Sequence, residues 1–243
     1  MTLLTLLLSL TALATALLSG VFGMAGGMIL MGVFTALLPV PTAMVMHGST
    51  QLVSNVSRAF ILRAHVYWRG FACYVAGSLI AYLAMLSVSY TPQPLVVFLG
   101  LGAVPFVAAL LPGHWLDFQR PLPAAVTGFQ VAALQLVAGA AGPLLDIAFV
   151  DTRLNRNQVV ATKAATQVFS HSLKLAYFLP AVELNEFSPE LVVALLVATI
   201  AGTRLGTWLL SKLSEAAFKR YSRGIVYAIG GVYLCKAGAL LLD

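Results

Sequence analysis

Charge is what this sequence is shortest of. Asp, Glu, Lys and Arg make up 9% of its 243 residues, against 60% hydrophobic ones. A water-exposed domain carries roughly 25% charged residues, so a soluble enzyme, a nucleic-acid module and a disordered tail are excluded. Cysteine is nearly absent too. Cys73 and Cys235 each sit in an apolar run, which gives neither a disulfide framework nor a cysteine-based metal site. The four histidines are dispersed without ligand spacing. No Walker A, G-x-S-x-G or H-E-x-x-H pattern occurs, so ATP-driven transport and intramembrane hydrolysis have no support, and no cofactor or metal is expected.

What is there is apolar length. The mean hydropathy of +0.94 leaves too little polar side chain to cover a surface in water, as in an integral membrane protein. The net charge of +6 then marks membrane topology rather than nucleic acid. The stretch from Met1 to Leu18 has no basic start and no small-residue cleavage motif, so it reads as a first membrane helix rather than a removed signal.

Shifting the chain by 116 residues lays one half on the other without a gap. Gly23-Met-Ala-Gly26 falls on Gly139-Ala-Ala-Gly142, and His47-Gly-Ser-Thr50-Gln51-Leu-Val-Ser54-Asn55 falls on Lys163-Ala-Ala-Thr166-Gln167-Val-Phe-Ser170-His171. Arg58 then meets Lys174. Each half has a glycine-interrupted segment A (about 2–38 and 124–150) and a polar segment B (about 42–61 and 158–179). Two apolar runs follow, C (about 71–89 and 190–211) and D (about 95–111 and 224–242). If A enters and returns to the same side, all nine loop cations share one face: Arg63, Arg69, Arg120, Arg153, Arg156, Lys212, Lys219, Arg220 and Arg223. The opposite loops then hold Glu183, Glu186 and Glu190. The positive-inside rule favours this arrangement, which places both termini outside and makes the halves inverted copies. The expected fold is an all-α integral membrane protein with two inverted-topology repeats, residues 1–111 and 124–243, joined by a cytoplasmic linker at 112–123. Each repeat has one Gly-broken or re-entrant segment and three spanning helices.

Chemistry is expected where polar residues recur inside apolar segments. Gly26-Gly27 and Gly142-Pro143 occupy matching positions where a break is needed. Free amides at such half-helix N-termini suit an anion. Segment B carries His47, Gln51, Ser54 and Arg58 at i, i+4, i+7 and i+11, one helical face. Lys163, Gln167, Ser170 and Lys174 repeat that spacing, with Thr50, Thr166, Asn55 and His171 alongside. Interhelical hydrogen bonding explains a lone Ser or Thr, but not a His, an Arg and two Lys, which are costly in a bilayer. Because every titratable member of the stripe is basic, the cargo is expected to be anionic. Asp146 pairs with Lys163 or Lys174, carries a coupling proton, or complements the restarting half-helix; these readings stay open. Lys174 and Arg58 are grouped with it as coupling or ion-pair residues.

Gly20-Val-Phe-Gly23-Met-Ala-Gly26-Gly27, followed by a Pro-containing turn and a Thr-rich helix, resembles the TauE/SafE family of sulfite exporters. The stretch from Val160-Ala161-Thr162-Lys163 through Gln167, His171 and Lys174 resembles the motif of that family's second half. The resemblance spans nearly the whole chain, although Gly139-Ala-Ala-Gly142-Pro143 lacks the triple glycine often found there. It implies export of sulfite, sulfonates or related sulfur-containing organic anions across a bacterial inner membrane. The expected partners are thus a small anion and the lipid bilayer, with no nucleic acid and a homodimer left open. Two rivals remain: a passive anion channel using the same residues, and a membrane scaffold in which both stripes are packing glue.

The loop charges give a direct test of orientation. In a background without Cys73 and Cys235, cysteines placed at positions 120 and 153 should be shielded from an impermeant thiol reagent added outside. A cysteine at the C-terminus should be modified. The opposite pattern reverses the topology.

Overall fold

The structure is a computed structural model that describes residues 3–22, 25–183, 188–210, 212 and 215–242. Among these residues the chain is helical, without strands: α1 (Leu3–Phe22), α2 (Ala25–Leu37), α3 (Val40–Ile61), α4 (Trp68–Val88), α5 (Pro94–Leu110), α6 (Pro121–Val137), α7 (Gly142–Ile147), α8 (Arg156–Phe178), α9 (Pro189–Leu210) and α10 (Glu215–Leu240). Gly23 and Glu186, and the side chains of Lys219, Arg220 and Arg223, lie outside the described residues.

Helix starts follow local chemistry. Proline has no amide to leave unpaired in a first turn, and Pro41, Pro94, Pro121 and Pro143 open α3, α5, α6 and α7. A capping box starts α8: Gln158 N–H donates to Asn155 Oδ1 at 3.0 Å, and Asn155 N–H donates to Gln158 Oε1 at 3.1 Å. Ser89, at φ 50°, turns the chain out of α4.

Both glycine-bearing segments are interrupted, but unequally. At 20 residues α1 is long and apolar enough to cross a bilayer alone, whereas α2 has 13 residues and α7 only 6. Segment A of the first half is therefore a full helix followed by a short one. Gly26 and Gly27 fall in the first turn of α2 rather than in the break itself. A side chain at Gly26 would collide with the Thr15 carbonyl and Ser19, so α2 packs back onto the end of α1. The loop expected over 212–223 is also shorter, since α10 begins at Glu215. Glu215-Ala-Ala-Phe-Lys-Arg is mostly good helix former and extends the membrane run Gly224–Leu240 backwards.

The helices pair across the two halves of the chain. The main contacts are α1 on α9, α4 on α6, α3 on α8 and α5 on α10. Gly48 lies against Leu175 while the Tyr67 amide, beyond the other end of α3, donates to Thr162 Oγ1 at 2.9 Å. Hence α3 and α8 run in opposite directions. The Phe98–Tyr233 and Phe106–Tyr227 ring contacts, at 5.7 and 5.6 Å, make α5 and α10 antiparallel as well. Small residues let the other two pairs approach closely: Gly20 meets Gly206, and Gly128 meets the Tyr74 backbone. Large apolar side chains such as Ile80, Leu83 and Val197 point outward, as lipid-facing positions do. The chain is a multi-pass membrane protein.

The α4–α6 contact sets up a stability comparison. Gly128→Ala places a methyl against the Tyr74 carbonyl, whereas Gly231 has nothing within 4 Å of its added carbon. Gly128→Ala should lower thermal stability in detergent by roughly 1–3 kcal/mol, and Gly231→Ala should be neutral or slightly stabilising. Equal melting temperatures for the two variants would show that the contact is not tight.

Candidate functional site

The polar faces of α3 and α8 meet in the protein interior. Lys174 is 0% exposed. Its ammonium donates to Gly139 O at 2.9 Å and to His47 Nδ1 at 2.9 Å, with the Met31 thioether 3.7 Å away. An ammonium only donates, so His47 Nδ1 must be the acceptor. The proton of the neutral ring then sits on Nε2 and is donated to Gly27 O at 2.9 Å. One lysine and one histidine thereby link a carbonyl from each glycine-bearing segment. In this structure those segments present carbonyls to the cluster; Gly142 is buried in the first turn of α7.

His171 stands edge-on to His47, with ring centroids 5.6 Å apart, and its buried Nδ1 has no hydrogen-bond partner among the described residues. One turn earlier on α8, Gln167 accepts from Gln135 Nε2 at 3.0 Å through its Oε1. The Gln167 Nε2 and Gln135 Oε1 atoms are left buried without partners among the described residues. Gln51 lies over Gly27, where an added side chain would touch its amide at 3.5 Å.

Other stripe residues are engaged more locally. Thr50 donates to His47 O and Thr166 to Lys163 O, each at 2.9 Å, the same bond in both copies. Asn55 donates to Gln51 O at 2.9 Å. Ser54 bonds Thr203 on α9 at 3.1 Å, and its register partner Ser170 bonds Tyr74 on α4 at 2.5 Å. Lys163 pairs with Asp146 at the partly exposed end of α8, so of the two lysines expected as partners for that carboxylate the structure brings Lys163 to it. Half-buried Arg58 makes no ion pair among the described residues.

Three participants lie outside the stripes. Gln135 sits in apolar α6, and a shift of 116 places it on Ser19, whose buried hydroxyl also has no partner among the described residues. The repeat register is the signal that could have found this pair. Met31 carries no such signal, because a methionine in an apolar helix reads as core. The described residues hold no cluster of His, Cys, Asp and Glu suited to a metal ion.

Fold and interior together define a multi-pass membrane protein in which His47, His171 and Lys174, three buried basic groups drawn from both halves, gather with no buried carboxylate among the described residues. A family model described as Sulfite exporter TauE/SafE matches residues 8–233, and the chain belongs to that family of membrane transporters. Comparison with curated proteins and with solved structures returns no match.

His47 holds two partners, so its loss should be felt twice. His47→Ala leaves Lys174 and Gly27 O each short of a bond and should destabilise the protein by about 2–4 kcal/mol. His47→Gln, which keeps a donor and an acceptor, should recover part of that. Thermal unfolding in detergent measures both, and a wild-type melting temperature for His47→Ala would show that the bridge holds nothing together.

Proposed function

We propose that the protein is a secondary transporter that exports small sulfur-containing anions such as sulfite or sulfonates, binding them between two inverted halves near the bilayer centre. The observation that carries this reading is the buried meeting of α3 and α8, where His47, His171 and Lys174 gather and no carboxylate among the described residues touches them. Cations buried in a membrane protein mark a pathway or a partner, and an anion is the partner this cluster suits. Membership of the sulfite exporter family supplies the substrate class.

The antiparallel runs of α3 with α8 and of α5 with α10 support the inverted repeat. So does the exchange in which each half's first helix packs on the other half's fourth helix. With the basic loops in the cytoplasm of a bacterial cell and both termini outside, Lys163 and Arg58 face the cytoplasmic end of the stripe. The Lys174–His47 bridge lies toward the outer end. The anion would pass Lys163, lose its water to Gln51, Gln167 and the neighbouring threonines, and reach His171. Complete burial of Lys174 at one end of the stripe favours a gated transporter over an open pore.

Proteoliposomes test this directly. The protein should support saturable sulfite flux driven by a solute gradient, and Lys163→Gln should reduce it by about tenfold or more while expression holds. Flux that follows voltage alone would identify a channel. Absence of anion flux, with Gln51→Ala and Gln167→Ala impairing assembly instead, would identify a scaffold.

A further inference from the structure

The three hydrogens of the Lys174 ammonium are unequally used. Two meet strong acceptors at 2.9 Å, His47 Nδ1 and Gly139 O. The third faces only Met31 Sδ at 3.7 Å, and a thioether is a weak acceptor. Such a buried ammonium is expensive without a counter-charge. The carboxylate that does reach the α8 stripe, Asp146, is committed to Lys163. Going back along the same face of α8, His171 and then Gln167 each hold a buried nitrogen with no partner among the described residues. Positions 167, 171 and 174 thus form a row of polar nitrogens with unspent capacity, ending at the ammonium.

We propose that Lys174 is the charge that receives the transported anion, exchanging its contact with the Met31 thioether for an anion oxygen. The inference rests on the anion-transport reading above and assigns the final holding site within it. His171 and Gln167 donate to the remaining oxygens, and charge-assisted bonds of this kind are about twice as strong as neutral ones. Met31 is suited to yield, since its unbranched side chain has three rotatable bonds. It belongs to α2, the short helix after the first break, and it packs on Gly139 in the second break, whose φ of +80° also disfavours any side chain. Displacing Met31 therefore loosens the contact between the two glycine-bearing segments. Arrival of the anion is coupled to their rearrangement.

The test is sulfite binding to purified full-length protein in detergent, read as stabilisation against heat. The wild type should be stabilised in a dose-dependent way. Lys174→Met replaces the buried ammonium with an apolar chain of similar length, so it should fold and lose the sulfite response. Met31→Ala keeps Lys174 and clears the third hydrogen, and should bind sulfite about tenfold more tightly. A Lys174→Met protein that responds as the wild type does would overturn the inference while leaving the transport reading intact. If Lys174→Met fails to fold, Met31→Ala decides alone, and unchanged sulfite affinity would overturn the inference. A folded wild type indifferent to both sulfite and sulfoacetate would overturn the transport reading, and this inference with it.

Discussion

A lysine ammonium sealed inside the protein, with no carboxylate beside it among the described residues, is the constraint around which the interior is organised. Lys174 is fully buried, and its two good acceptors are a backbone carbonyl, Gly139 O, and a neutral imidazole, His47. Taking an isolated charge out of water costs several kcal/mol, and neutral acceptors recover only part of that. The surroundings must therefore be held in one arrangement. The imidazole is fixed in one tautomer by Gly27 O, and Gly139 adopts a backbone angle that other residues avoid.

That requirement extends outward to the helix breaks. A regular helix commits its carbonyls to its own ladder, so a free carbonyl deep in a membrane has to come from a place where the ladder is interrupted. Gly139 lies in such a gap, between α6 and α7, whereas Gly27 O belongs to the first turn of α2 and offers His47 the second lone pair of a helical carbonyl. The glycines thus have two separate tasks. Gly26 allows α2 to lie on α1, while Gly139 turns its carbonyl toward the ammonium. The glycines at the long-helix contacts have a third and plainer use, letting α1 approach α9 and α4 approach α6.

The two ends of the polar stripe differ. At one end Lys174 faces His47; at the other, the register partners Arg58 and Lys163 are partly exposed, and Lys163 has Asp146. Asp146 falls on Leu30 in the repeat register, so the carboxylate belongs to one copy alone. Ser54 and Ser170 kept a common job, each tying its helix to the fourth helix of the other half.

Much of this was legible in the chain itself, because membrane burial leaves strong signals in composition and period. The shortage of charge required spanning helices, and the 116-residue register located both breaks and both polar helices. The i, i+4, i+7 spacing placed His47, Gln51, Gln167 and Lys174 on inward faces. What the sequence left undecided was which partners those residues choose. Asp146 has several cations within tens of residues along the chain, and only the folded position of α7 brings it to Lys163 rather than Lys174. Met31 carried no signal, and Gln135 only that of the repeat register, because their roles come from side-chain contacts with α8 between segments far apart in sequence. Periodicity records which face of a helix is buried. It does not record which other helix covers that face, and only the tertiary structure decides that.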